Sequence, residues 1–85
     1  MIKTLRVLEK KHLKNGINGG ARFDLLCEDC DGLGFYHCVI NSNSHASLQA
    51  SSTRVDYNAV IKVKCHYTPK RPYLVIDDIL NYYEL

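Results

Sequence analysis

No run of apolar residues in this 85-residue chain approaches the roughly 18 needed to cross a membrane. The opening residues, Met1-Ile2-Lys3-Thr4-Leu5-Arg6, lack an apolar core followed by a small-residue cleavage site. A soluble, cytoplasmic protein without membrane contact is therefore expected. Internal repeats and low-complexity linkers are also missing, and a chain of this length closes only one core, so residues 1–85 are expected to form a single domain. Catalytic signatures are lacking too. The sequence has no nucleophile elbow, no phosphate-cradling glycine motif opening a helix, and no histidine set beside a pair of carboxylates, so no enzyme is expected.

Net charge is also small, at +2, but the charges are sorted into blocks. Residues 1–22 carry six bases against Glu9 alone. Residues 23–32 carry Asp24, Glu28, Asp29 and Asp31 with no base. Residues 54–71 return five bases against Asp56, and residues 72–85 are acidic. Distribution, rather than sum, decides what a surface attracts.

Alternation of side chains supplies the elements. Residues 2–9 read as a strand through Leu5 and Val7, with a helix start as the other reading. Residues 10–20, with Lys10, Lys11, Lys14 and three glycines, read as a long basic loop. Phe23, Leu25 and Cys27 alternate with Arg22 and Asp24 in a second strand, 21–27. The acidic stretch 28–34, with its Asp31-Gly32 pair, reads as a hairpin leading into a third strand, 35–41. A short helix is expected within 45–50 after an Asn or Ser cap. Ile61, Val63 and Cys65 alternate with Lys62, Lys64 and His66 in a fourth strand, 58–67. Pro69 and Pro72 make 68–72, with Lys70 and Arg71, a basic turn. A last strand covers 73–79, and residues 80–85 extend it or add a turn of helix.

Five strands with one helical insert between the third and fourth form an all-β, OB-like barrel. Met1-Ile2-Lys3, the glycine-rich stretch before Ala21-Arg22-Phe23, and Tyr73-Leu74-Val75-Ile76-Asp77-Asp78-Ile79 resemble OB-fold single-strand-binding proteins, including the very small ones of filamentous phages. That resemblance implies non-enzymatic binding of single-stranded nucleic acid, DNA first. The first and last loops would flank the exposed face of strands two and three. The expected contacts are Lys10, Lys11, Lys14, Arg22, Lys62, Lys64, Lys70 and Arg71 for phosphates, with Phe35, His37 and Tyr73 for stacking. The acidic hairpin would lie at the far end. A rival expectation is a phage-type inhibitor or protein-binding module that uses edge strands, the acidic hairpin and the tail Tyr82-Tyr83-Glu84-Leu85.

In a reducing compartment Cys27, Cys30, Cys38 and Cys65 read as thiols or metal ligands rather than disulfides. The run Cys27-Glu28-Asp29-Cys30-Asp31-Gly32-Leu33-Gly34 is similar to the CxxCxGxG motif of J-domain chaperones, which implies zinc held by Cys27 and Cys30. That family uses a second copy, and this chain has one. Further ligands would have to come from Cys38, His37, Cys65 or His66, and Cys38 and Cys65 read as small core residues. No other cofactor is indicated. A domain this small often leans on a metal or a partner subunit, so a homodimer stays open.

Overall fold

A computed structural model describes residues 1–15, 21–42, 44–51 and 55–83, with the backbone alone for Lys14 and Asn15. The elements are β1 (Ile2–Asn15), β2 (Ala21–Asp29), β3 (Phe35–Ile40), α1 (His45–Ala50), β4 (Val60–Tyr67) and β5 (Leu74–Tyr83). The strands close a barrel in the order β1-β2-β3-β5-β4, with β4 returning to β1. Neighbours are antiparallel except β3 and β5, which meet in parallel over Cys38–Leu74 and Val39–Val75. This is the five-stranded, OB-like barrel with a helix between strands three and four that the element order implies.

β1 is much longer than its apolar alternation suggests. Its first residues pair with β4 (Ile2 with Lys64 through Arg6 with Val60), while Leu5 to Asn15 pair with β2. Register shifts at Val7/Glu9 and His12/Lys14 bend it around the barrel, as an extra residue in one strand does. Lys10, Lys11 and Lys14 are therefore strand residues, a correction to the expected loop, of which 16–20 lies outside the described residues. The reason is visible at Lys10. Its ammonium sits 4.9 Å over the Phe23 ring and donates to the Ala50 carbonyl at 2.6 Å, so a long cationic side chain fills an inward position.

Inward-facing Leu5, Val7, Phe23, Leu25, Ile61 and Val63 are buried, and Cys27, Cys38 and Cys65 share their core. α1 closes one end. Ser44 caps it, its hydroxyl accepting from the Ser47 amide at 3.1 Å. The buried Ser47 hydroxyl donates to the Ala21 carbonyl at the start of β2. Gln49 donates to the Ile79 carbonyl at 2.7 Å and accepts from the Ile79 amide at 2.8 Å, so one side chain stands in for a neighbouring strand along β5. Asn58, at φ 71°, donates to the Val7 carbonyl at 2.6 Å while the Val7 amide donates to Ala59 at 2.8 Å, which clamps the first bend of β1.

Two further expectations change. Among the described residues every strand has a neighbour on each side of the ring, but β1 beyond Arg6 pairs with β2 alone and β3 meets β5 over only two residue pairs, so the open edges are confined to these stretches. Tyr82 and Tyr83 pair with Ile61 and Val60 inside β5, which is the strand extension expected beyond 79 and not a separate tail, and Glu84 and Leu85 lie outside the described residues.

Candidate nucleic-acid interface

Cross-strand pairing sets the outer face of β1, β2 and β3 out in rows, because directly opposed residues project to the same side. Lys14 stands opposite Arg22. Lys11 stands opposite Asp24, which stands opposite Val39. Glu9 stands opposite Leu26, which stands opposite His37, and Glu28 stands opposite Phe35. On β3 alternation leaves two faces open, and His37 is expected outward because a buried imidazole needs a partner; Phe35 is 66% exposed, His37 is exposed and Tyr36 is half-buried, whereas Val39, of the same parity as His37, is buried.

The 68–73 turn between β4 and β5 comes against this face. The Tyr73 and His37 rings lie 5.8 Å apart, tilted by 58°. Lys70 and Arg71 are exposed in the same turn, which the Arg71 amide tightens by donating to the Thr68 carbonyl at 3.3 Å. Lys11, Arg22, Phe35 and His37 are thus brought onto one surface with Tyr73 against it, while Lys70 and Arg71 lie exposed in the turn that leads to Tyr73 and Lys14 is placed by its backbone register with Arg22 alone.

Three expected contacts fall elsewhere. Lys10 points inward beneath α1, where burial lowers its affinity for the proton. Lys62 and Lys64 lie on β4, which β1 and β5 separate from β2 and β3, so they project from the opposite wall. There they stand across from Thr4 and Ile2 on one side and Asn81 and Asp78 on the other.

The expected sorting of acid and base also needs correcting, because Glu9 and Asp24 stand within the face. Glu9 lies 3.6 Å from Lys11, and Asp24 lies 3.5 Å from His37. These two pairs and Leu26 line a shallow depression of about 240 Å³. Parity had already put Asp24 outward. Leu26 could have been found from the Leu25-Leu26 doublet, since one of two successive strand residues must face out.

The acidic hairpin is partly neutralised. The Asp29 carboxylate accepts from the Asp31 amide at 2.9 Å and the Tyr36 hydroxyl at 3.2 Å and faces Lys3 at 3.7 Å, and these contacts hold it below the usual carboxylate range. Lys3 in turn lies 4.8 Å over the Tyr36 ring, and its own proton affinity is raised, chiefly by its hydrogen bond with Tyr36. Gly34, at φ 124°, closes the hairpin by accepting from the Asp29 amide at 3.0 Å, in a conformation open mainly to glycine.

The two candidate zinc thiols part company. Cys27 is fully buried, and its thiol is pushed up by its hydrogen bond with Cys38 and by burial. Cys30 is exposed on the hairpin. The cause is parity, since positions three apart at the end of a strand leave on different sides. Among the described residues no group of three or more His, Cys, Asp or Glu is placed to hold a metal ion.

Comparison with known families found no matching model, and neither the curated proteins nor the solved structures yielded a match.

Proposed function

We propose that the protein binds single-stranded nucleic acid, DNA first, on the outer face of β2 and β3. The observation that carries this reading is the exposed pair Phe35 and His37 along β3, with Tyr73 against His37, on a face that also carries Lys11 and Arg22 and meets the turn that holds Lys70 and Arg71. Flat rings accept bases of any sequence, each stack contributing roughly 1–3 kcal/mol, and cations at the border follow the phosphates. The OB-like barrel supports the same reading, because its second and third strands and flanking loops form the oligonucleotide saddle of that architecture.

Fluorescence anisotropy with an unstructured DNA of about 20 nucleotides at low salt tests it. Four cations on or beside the face predict that log K falls against log salt with a slope of about −3. Phe35→Ala is expected to cost roughly 1–3 kcal/mol of binding. Absence of binding at tens of micromolar would reject the proposal.

A protein-binding role is favoured by a different feature. Leu33 is fully exposed at the hairpin tip next to Phe35, with Glu28 and Asp31 around it, which would suit a partner with apolar and basic groups. Tight, stoichiometric association with one protein, insensitive to Phe35-independent DNA competitors, would favour that reading.

A further inference from the structure

A carboxylate inside a phosphate-binding face weakens every strand alike unless it meets hydrogen-bond donors, and besides Glu28 at the hairpin end the face described above holds two, Glu9 and Asp24. They are not scattered. Glu9 and Asp24 border a depression of about 240 Å³ that Lys11, Leu25, Leu26 and His37 also line. This is smaller than the roughly 300–1,000 Å³ of sites for whole small molecules, so it suits a fragment the size of one planar ring. Leu26, 41% exposed, offers the ring an apolar surface, and the Tyr73–His37 pair stands at its rim.

Resting on the proposed nucleic-acid reading, we infer that this depression is a base-reading subsite that takes guanine in preference to thymine. Guanine presents two adjacent donors, the N1–H and the exocyclic N2 amine, which match the two oxygens of one carboxylate. Its O6 accepts from an ammonium. Asp24 supplies the acceptor pair, and Lys11, opposite it on β1, supplies the donor. Thymine presents two carbonyls around a single N–H, and those carbonyls face the same carboxylates unfavourably. The acids that cost general affinity therefore return it as selectivity at one position.

The test uses labelled strands of about 12 thymidines that differ only at the centre, carrying thymidine, deoxyguanosine or deoxyinosine. Inosine keeps N1–H and O6 but lacks the amine. The deoxyguanosine strand is expected to bind about five- to tenfold more tightly than the all-thymidine strand, with inosine between them. Asp24→Asn is expected to remove the preference, so that the guanine and thymidine strands bind alike. Equal binding of the three strands to the wild-type protein overturns the subsite while leaving the interface standing, and a preference that survives Asp24→Asn overturns it as well. Failure of every strand to bind defeats the interface itself, and the subsite with it. The wild-type comparison decides even if the variant does not fold.

Discussion

Asp29 shows how one side chain can belong to structure although its type and position suggest a surface charge. It receives the Asp31 amide and the Tyr36 hydroxyl and faces Lys3, so it joins the hairpin, β3 and the start of β1. Its pKa is depressed in the folded state, so its contribution is present above the ordinary carboxylate value and is lost as pH falls through the lower, folded one. Asp29→Asn is accordingly expected to lower the melting temperature at neutral pH, with the gap to wild type closing under acid conditions. Melts recorded from pH 7 downward check this, and a gap that stays constant would show that the carboxylate charge is not what stabilises. Lys10 teaches the complementary lesson. A lysine in a basic stretch reads as a phosphate contact, but here its stem covers Phe23 and its ammonium binds a helix-end carbonyl, which no local pattern reveals.

At the scale of elements, α1 is short, and three polar ties hold it to the barrel: Lys10 from β1, Ser47 to β2 and Gln49 to β5. Gln49 matters most because it satisfies both the amide and the carbonyl of Ile79, in a strand that meets β3 over only two residue pairs. Gln49→Ala is expected to destabilise by about 1–3 kcal/mol, the range for leaving buried backbone groups unpaired, as measured by denaturant unfolding. Loss of less than a few tenths would mean that water replaces the amide. The helix itself was legible, because a serine cap followed by His45 to Ala50 is a local signal. So were β2, β3 and β4, where alternation of Phe23, Leu25 and Cys27 and of Ile61, Val63 and Cys65 matches their burial. The second half of β1 was not. It pairs with the adjacent β2 as a hairpin, from Lys10 with Leu25 to Asn15 with Ala21, but the apolar alternation stops at Val7 and the bends come from extra residues, so a run of lysines there looks like loop.

For the whole molecule, ring closure decides which charges can act together. Lys62 and Lys64 belong to the cleanest strand pattern in the chain, yet the order β1-β2-β3-β5-β4 turns them away from Phe35 and His37. The aromatic part of the candidate site could be read from the need of a buried imidazole for a partner, which turns His37 and with it Phe35 outward, and from the nearby turn, whereas the location of its cations required the topology. The proposed binding is therefore directional: one wall of the barrel binds and the opposite wall does not. Anisotropy with single-stranded DNA at low salt, applied to two double variants, tests this most directly. Lys70→Glu with Arg71→Glu is predicted to weaken binding by about tenfold or more, while Lys62→Glu with Lys64→Glu changes it much less. Equal losses in the two variants, or a larger loss in the second, would contradict the account.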